Sequence, residues 1–339
     1  MSELENIAKK MVAKGKGILA ADESTGTMTK RLSSVNVESS AENRLKFRET
    51  LFSAEGMKNH IGGVILYDET IKQKTSSGKT IPELIKSSGS IPGIKVDTGA
   101  KKLAGSPEEK ITEGLDGLRE RLQGYYKLGA RFTKWRAVYS ISEKYPSELA
   151  IKSNAHTLAR YAALAQEIKM VPIVEPEVLM DGSHNIMKCY EVTSKVLDEC
   201  YKELKLHNVN LKGTILKPNM ILPGNKSKNK SSTGEIAKMT LKCLKENVPN
   251  EVPGIAFLSG GQTEIEATQN LNEINKINDT NFLMSFSYGR ALQQSALKNW
   301  GKNIKDIDNT QKIFNHRSKM NGLSTSAKWS LDLEKQTTA

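Results

Sequence analysis

Lys217 ends a short apolar run and stands directly before a proline in "LKGTILKPNM". A charge in that place is either part of a structural ion pair or a reactive group. Polar residues follow other apolar runs at a regular interval, since Lys134, Glu175, Lys217 and Ser259 are 41, 42 and 42 residues apart. A repeat of that length is typical of strand–helix units, with one polar group at the end of each successive strand.

The residue types at these positions suit covalent amine chemistry. Lysine is a nucleophile only when neutral, and burial beside a cation such as Lys134 favours the neutral amine of Lys217. Such an amine adds to a ketone and forms a Schiff base, which accepts electrons when a carbon–carbon bond breaks. Glu175 could move the protons of dehydration, and Asp22 could take a hydroxyl proton on the departing side. The set suits aldol cleavage and condensation, and it also suits a pyridoxal-phosphate enzyme whose cofactor is held by Lys217.

Most of the polar strand ends carry two side chains on one face, because residues two positions apart on a strand point the same way. The pairs are Asp22 with Ser24, Lys95 with Asp97, Lys134 with Arg136, and Glu175 with Glu177. For any single pair, a buried ion pair explains the charges as well as a functional role does. Clusters at five strand ends are harder to explain in that way, since stable barrels fill their interiors with valine, isoleucine and leucine.

Two glycine turns favour a phosphate-binding site. Gly260 and Gly261 in "LSGGQTEIEATQNL", and Gly289 in "FSYGRALQQSAL", each separate an apolar run from a helical segment. Free backbone N–H groups at a helix N-terminus attract phosphate, and Arg290 offers a bidentate contact. Glycine in either turn alone would be explained by the turn itself, but the two turns with an arginine predict phosphate binding.

Composition and spacing argue against several other classes of protein. None of the five histidines shows H-x-H or H-x-x-x-H spacing, so neither zinc catalysis nor a Ser-His-Asp triad is supported. The net charge of +12 comes from scattered lysines without a DNA-binding signature, which indicates an acidic small-molecule substrate and no nucleic acid. No run is long enough to span a membrane. Three widely spaced cysteines indicate ordinary thiols in a reducing cytoplasm, namely Cys189, Cys200 and Cys243.

Eight β-rich runs bounded by turn residues must position these side chains. They are residues 17–22, 62–67, 92–97, 130–138, 170–177, 212–217, 254–260 and 282–287. Helical spacing recurs between most of them, as at 154–168, 187–204 and 235–246. Eight such units predict an α/β fold, a (β/α)8 TIM barrel with its active site at the C-terminal ends of the strands. An open doubly wound sheet is the alternative, but its G-x-G-x-x-G fingerprint is absent.

We expect residues 1–339 to form a single domain. An amphipathic N-terminal helix precedes the first strand, as Leu4, Ile7, Met11 and Val12 alternate with charged residues. Residues 301–339 are interpreted as an extension of that domain, with one helix followed by a polar, Ser/Thr-rich tail from Gly322.

Long motifs occur in order along the chain: "GKGILAADEST", "IGGVIL", "GIKVD", "KWR", "VPIVEPE", "LKPNM", "FLSGGQ" and "FSYGRALQ". Over roughly residues 15–300 the chain closely resembles class I fructose-1,6-bisphosphate aldolase, the Schiff-base, metal-independent type. The resemblance implies a (β/α)8 barrel that reversibly cleaves fructose 1,6-bisphosphate to dihydroxyacetone phosphate and glyceraldehyde 3-phosphate. It also implies a cytoplasmic homotetramer that needs no metal or other cofactor and has no membrane partner.

The resemblance further implies a role for each polar strand end. Lys217 matches the Schiff-base lysine, Glu175 the proton-transfer glutamate, Lys134 a lysine that assists formation of the intermediate, and Asp22 the residue acting at the C4 hydroxyl. The positions that match the C1 phosphate site are Ser259, Gly260, Gly289 and Arg290. Those around the other end of the substrate are Ser24, Thr27, Arg31, Lys95 and Arg136, with Glu177 as a supporting carboxylate.

The chain departs from the animal members of that family at two places. Thr27 stands where serine is usual, and it keeps the hydroxyl. The animal enzymes end in a tyrosine that helps to protonate the enamine, whereas this chain ends "EKQTTA" and its last tyrosine is Tyr288. We therefore predict that cleavage is retained, while protonation of the enamine proceeds differently and more slowly.

Two rival functions stay open from the residues alone. One is a different phosphosugar aldolase or a transaldolase, which a substrate panel would separate from the first interpretation. The other is a binding protein, such as a cytoskeletal or surface adhesin with a dead or secondary active site. The intact polar strand ends argue against a loss of catalysis without excluding a second binding role.

Overall fold

A computed structural model describes residues 2–335 of the chain. Within this range, parallel strands form a closed barrel in the spatial order β1-β10-β9-β8-β7-β6-β3-β2. The barrel strands are β1 Gly17–Ala21, β2 Ile61–Leu66, β3 Ile91–Lys95, β6 Phe132–Tyr139, β7 Val171–Val178, β8 Ile215–Leu216, β9 Gly254–Phe257 and β10 Leu283–Tyr288. Each of the eight predicted runs overlaps one of these strands, with bounds that differ by a few residues, so the predicted TIM barrel is confirmed.

Helices follow the strands and surround the barrel. They are α1 Glu3–Met11, α2 Thr25–Ser33, α3 Ala41–Phe52, α4 Glu55–His60, α5 Asp68–Ile71, α6 Ile81–Ser87, α7 Leu118–Lys127, α8 Glu148–Glu167, α9 Ile186–Leu206, α10 Thr233–Asn247, α11 Glu264–Ile277, α12 Arg290–Lys302, α13 Ile307–Ser324 and α14 Leu331–Lys335. The predicted helical segments coincide with parts of α8, α9 and α10, the first of them running one residue beyond α8, and the predicted N-terminal helix is α1. No helix among residues 2–335 is long and apolar enough to cross a membrane.

The barrel interior changes from apolar to charged along its axis. Met11 and Val12, at the end of α1, join an inner cluster of strand residues that includes Ile18, Ile65 and Val171. Side chains two positions apart share the inner face. Each charged residue at the C-terminal end of the barrel therefore follows a buried apolar one, with Lys134 after Phe132, Glu175 after Ile173, and Lys217 after Ile215.

The intervening residues of the same strands point outwards. Trp135, Val174 and Leu216 belong to the larger apolar cluster between the strands and the helices. The alternation explains how one strand can supply both a buried hydrophobic layer and a charged site. Burial of the outward residues fixes the register of the strand against its neighbours.

An antiparallel hairpin, β4 Gly99–Leu103 with β5 Ser106–Glu113, interrupts the strand–helix repeat after β3. We did not predict it, because its "GAKKL" and "SPEEKITE" segments are charged and largely exposed, so no apolar run marks them. Thr112 Oγ1 donates a 2.7 Å hydrogen bond to the Arg136 carbonyl, which ties the hairpin to a strand of the active-site end.

The C-terminal segment is more structured than the polar tail that we expected from Gly322. Helix α13 continues to Ser324, and Gly322 within it packs so closely that a Cβ atom there would lie 2.6 Å from His60 Nδ1. Beyond it, Trp329 is buried, and its Nε1 donates to Glu334 of α14 at 2.8 Å. The chain end, where a terminal tyrosine would stand, falls among residues 336–339 and lies outside the described residues.

Candidate active site

Glu175 lies between two lysine amines at the C-terminal end of the barrel. Its Oε1 is 3.2 Å from Lys217 Nζ, and its Oε2 is 3.4 Å from Lys134 Nζ. Lys134 Nζ also lies 2.7 Å from Asp22 Oδ2, so carboxylates and amines alternate along one line. Four different strands or strand ends therefore deliver one continuous charged group.

The residues after Lys217 explain why "LKPNM" follows a short strand. Pro218 has no N–H to donate, but its carbonyl accepts from Leu258 N at 3.0 Å and continues the pairing beyond β8. Asn219 Oδ1 accepts from the backbone of Val178 at 3.0 Å, while its amide nitrogen donates to Thr193 Oγ1 at 3.2 Å. The contacts of Pro218 and Asn219 thus fix the position of the backbone at Lys217.

The charges of the central group stabilise one another in a buried setting. Burial alone would raise the pKa of Asp22, but the positive charges of Lys134 and Lys217 outweigh it and lower the pKa to about 2. Burial alone would lower the pKa of Lys134, but Asp22 and Glu175 outweigh it and raise that pKa. Both groups are therefore ionised at neutral pH.

Three further cations that line the cavity are each paired with an acid. Lys95 Nζ lies 2.6 Å from Asp97 Oδ1. Arg136 forms an ion pair with Glu177, which outweighs burial and raises the pKa of the guanidinium. Arg31 is paired with Glu23, a residue that the sequence analysis missed. An incoming anion would meet cations whose positions these acids fix.

Hydroxyl groups at the start of α2 line the same cavity. Ser24 is the N-cap residue of this helix, and its Oγ lies 3.1 Å from Thr27 Oγ1. Two hydroxyls and the first-turn N–H groups of a helix form a suitable environment for a phosphate. Thr27 keeps this hydroxyl although it carries an additional methyl group.

The two glycine turns, after β9 and after β10, differ in how their helices are capped. Thr263 and Glu266 form a capping box at the start of α11, so side chains already occupy donors there. Helix α12 begins after Gly289 with no side-chain cap, so no side chain occupies its first N–H groups, and only Leu292 N of its first turn donates to the Gly289 carbonyl. Arg290, the first residue of α12, is exposed beside those groups.

All fourteen predicted site residues line one cavity of about 1010 Å³. They are Asp22, Ser24, Thr27, Arg31, Lys95, Lys134, Arg136, Glu175, Glu177, Lys217, Ser259, Gly260, Gly289 and Arg290. Polar lining residues that the sequence analysis did not assign to the site include Glu23, Lys30, Ser34, Asp97, Ser287 and Gln294.

Five buried polar atoms of residues that line this cavity have no hydrogen-bond partner among the described protein atoms. They are Glu23 Oε2, Arg31 Nε, Arg31 Nη2, Glu175 Oε2 and Ser287 Oγ. Buried polar atoms are nearly always satisfied in folded proteins, so these exceptions suit a site that binds a polar ligand. Strand alternation would have found Ser287, since Phe286 and Tyr288 on either side of it pack in the outer apolar cluster.

Comparisons with known proteins agree with this geometry. The family model described as "Glycolytic: Fructose-bisphosphate aldolase class-I" matches residues 3–339. A "Probable fructose-bisphosphate aldolase class 1" of Xylella fastidiosa (strain 9a5c) is 50% identical over 330 residues, covering 97% of this chain and 99% of the relative. The "Fructose-bisphosphate aldolase 4, cytosolic" of Arabidopsis thaliana is 54% identical over 312 residues, covering 92% of this chain and 79% of the relative.

The chain belongs to the class I fructose-bisphosphate aldolase family. This aldolase is also similar in structure to fructose-bisphosphate aldolase from Plasmodium falciparum, which was solved in complex with TRAP and a small-molecule inhibitor. The two share a TM-score of 0.95 and 44% sequence identity, covering 97% of this chain and 95% of that one. As a member of the family, the enzyme is a lyase that reversibly cleaves fructose 1,6-bisphosphate by Schiff-base chemistry.

The thiols of the aldolase lie away from the cavity and are not paired. Cys189, Cys200 and Cys243 are free and buried, as expected for ordinary thiols. Burial raises the pKa of both Cys200 and Cys243 to about 12, so neither is a thiolate at neutral pH.

Proposed function

We propose that Lys217 forms the Schiff base and that Glu175, Lys134 and Asp22 move the protons of the reaction. The observation that carries this assignment is the position of Glu175, whose two oxygens face Lys217 and Lys134 at 3.2 and 3.4 Å. Only a group in that place can exchange protons with both an attacking amine and a neighbouring ammonium.

The first step joins the neutral amine of Lys217 to the C2 carbonyl carbon of the substrate and gives a carbinolamine. Loss of its hydroxyl as water requires a proton, which Glu175 supplies with Lys134 beside it. The resulting iminium carries a positive charge, and the Glu175 carboxylate stabilises that charge in a water-poor pocket.

Cleavage then breaks the C3–C4 bond. Asp22 accepts the proton of the C4 hydroxyl, the bond electrons move into the iminium to give an enamine, and glyceraldehyde 3-phosphate leaves. A pKa of about 2 keeps Asp22 ionised and ready to accept, but it also makes the carboxylate a weak base. The electron demand of the iminium must therefore supply most of the driving force.

The remaining steps protonate the enamine at C3 and hydrolyse the imine, which releases dihydroxyacetone phosphate and free Lys217. Tyr288, the last tyrosine up to residue 339, is not free to protonate the enamine. Its hydroxyl is buried and donates to the Ala267 carbonyl at 2.9 Å. A slower or differently routed protonation therefore stays a prediction.

The two phosphates anchor the two ends of the substrate in the cavity that contains the charged group. We assign the C1 phosphate to the uncapped start of α12, with Gly289 and Arg290, and to the turn at Ser259 and Gly260. The other phosphate lies among the paired cations and the α2 hydroxyls, which are Ser24, Thr27, Arg31, Lys95 and Arg136, with Glu177 orienting Arg136.

We also propose that the chain is a single domain and acts as a cytoplasmic homotetramer without a metal or organic cofactor. Family membership supports these statements, as the class I type is metal-independent and the Arabidopsis thaliana relative is named cytosolic. We expect no nucleic-acid or membrane partner. Analytical ultracentrifugation of the purified chain would test the tetramer, and a molecular mass of one chain would exclude it.

Reduction with borohydride in the presence of dihydroxyacetone phosphate tests the assignment of Lys217. The hydride converts the imine to a stable secondary amine, and peptide mapping then locates the modified residue. We expect the adduct on Lys217, and an adduct confined to another lysine would refute the assignment. A panel of phosphorylated ketoses would separately establish the preference for fructose 1,6-bisphosphate.

A further inference from the structure

Two histidines and a glutamate meet on the outer helical layer, far along the chain from one another. His156 lies on α8, Glu203 on the last turn of α9, and His207 directly after α9. Glu203 Oε2 is 3.1 Å from His156 Nδ1 and 3.5 Å from His207 Nδ1. One carboxylate oxygen therefore faces two imidazoles that come from two packed elements.

The spacing of these atoms fits a tetrahedral metal ion. Bonds of about 2.0–2.2 Å to nitrogen and oxygen place neighbouring ligand atoms about 3.3 Å apart in a tetrahedron. The two measured separations lie on either side of that value, and the ligand atoms of all three residues lie within 4.8 Å of one another. In the part of the chain that the structure describes, no other group of three such side chains is as close.

The chemistry of the donors selects the class of metal. Two imidazoles with one carboxylate suit zinc, nickel and copper, whereas magnesium and calcium prefer oxygen alone. The side chain of His156 is 50% exposed, so an ion can enter from solvent and keep water at a fourth position. The negative end of the α9 dipole also favours a cation beside His207.

Metal binding must displace an existing contact. His207 Nδ1 lies 2.9 Å from the Glu203 carbonyl, so this nitrogen would lose one hydrogen bond and one proton if it becomes a ligand. The alternative occupant of the site is a proton, since a protonated imidazole would pair with Glu203 at the same distances. A metal site and a protonated ion pair therefore differ in whether a divalent ion binds between Glu203 and the two imidazoles.

We propose that His156, Glu203 and His207 bind one zinc-class divalent cation that links α8 to α9. The site is separate from aldol cleavage, since none of the three side chains lines the barrel cavity. Helices α8 and α9 are neighbours outside the strand that carries Glu175, so the ion would stabilise the scaffold without entering the reaction. We therefore expect chelation with EDTA to leave the turnover of cleavage unchanged.

Titration of the full-length protein with Zn²⁺ against a chromophoric chelator tests the site, with Mg²⁺ as the non-binding ion. Glu203→Gln keeps the size of the side chain and removes the ligand charge, and His156→Ala with His207→Ala removes both imidazoles. Glu199→Gln is the matched control, because it removes the same charge one turn earlier on α9.

We expect one Zn²⁺ per chain in the wild type and in Glu199→Gln. Its affinity should fall at least about tenfold in Glu203→Gln, and the site should be lost in the double histidine variant. Zn²⁺ should also raise the unfolding temperature only of the proteins that keep the site. Equal Zn²⁺ binding by the wild type and the double histidine variant, or no stoichiometric binding by the wild type, would overturn the proposal whatever happens to cleavage activity.

Discussion

The carboxylate of Glu175 lies 3.2 Å from the amine of Lys217, and both side chains are almost fully buried. The adjacent strands β7 and β8 hold the two groups at this distance through backbone pairing of Ile173 with Ile215. A proton donor and an amine that are fixed before substrate arrives need little reorganisation during the reaction.

Replacement of Glu175 by glutamine should remove proton transfer while preserving the shape of the site. We expect kcat for cleavage of fructose 1,6-bisphosphate to fall about 10²- to 10⁴-fold, the usual range for loss of a general acid–base group. Steady-state kinetics measure the change, and circular dichroism checks that the variant is folded. A folded Glu175→Gln enzyme with a kcat within tenfold of the wild type would remove this residue from its proposed role.

The ion pair between Asp22 and Lys134 should make stability depend on acid pH. The pKa of Asp22 is lowered from 3.8 to about 2, so the pair stabilises the fold above the unfolded-state pKa. This contribution, about 2 kcal/mol, is lost as pH falls from about 4 towards about 2.

Denaturant unfolding of the wild type and of Asp22→Asn, at pH 7 and at steps down to pH 2, measures this effect. We expect the wild type to be the more stable protein at pH 7 and the difference to shrink as the pH approaches 2. A difference that stays constant over the whole series would show that Asp22 does not stabilise the fold through its charge.

Arg290 stands at the uncapped start of α12, where we place the C1 phosphate. Loss of a charge-assisted hydrogen bond to phosphate costs about 1.5–3 kcal/mol, so Arg290→Ala should raise KM for fructose 1,6-bisphosphate about 10- to 100-fold. Lys298→Ala, on the same helix and outside the cavity lining, removes the same charge as a control. If both variants raise KM equally, general electrostatic attraction rather than a phosphate contact is responsible.

Protonation of the enamine should be the slow part of the reaction after cleavage. We expect exchange of the C3 proton of dihydroxyacetone phosphate with solvent to be slow relative to cleavage, because Tyr288, the last tyrosine up to residue 339, is buried and donates to the Ala267 carbonyl. Isotope exchange followed by nuclear magnetic resonance, beside cleavage turnover of the same full-length preparation, gives the two rates. Exchange that is fast compared with cleavage would refute the idea of a slowed step.

Strand alternation predicts much of this site, and particular residues show where it stops. Lys134, Glu175 and Lys217 were predictable because each lies in a predicted strand two positions after an apolar residue. The pairing of Glu23 with Arg31 was not, since strand alternation selected Asp22 and Ser24 and passed over Glu23, which the structure nonetheless places in the cavity lining. Only the structure shows that α11 is capped by its own side chains while α12 is not.

Contacts between distant elements were the hardest to predict. The β4–β5 hairpin is charged and exposed, so its strands carry no apolar signal. His156 and Glu203 are 47 residues apart, and they meet only because α8 packs along α9. Only the pair Glu203 and His207, four residues apart, has a short spacing in the sequence, and nothing there connects it with His156.

Covalent trapping with quantitative peptide mapping tests the central assignment most directly. The wild type, Lys217→Arg and Lys134→Arg would be treated with dihydroxyacetone phosphate and borohydride, and the reduced adduct on each lysine would be measured. We predict an adduct on Lys217 in the wild type, a slower adduct at the same residue in Lys134→Arg, and none in Lys217→Arg. Undiminished labelling of Lys217→Arg would contradict the account, because it would place the reactive amine elsewhere.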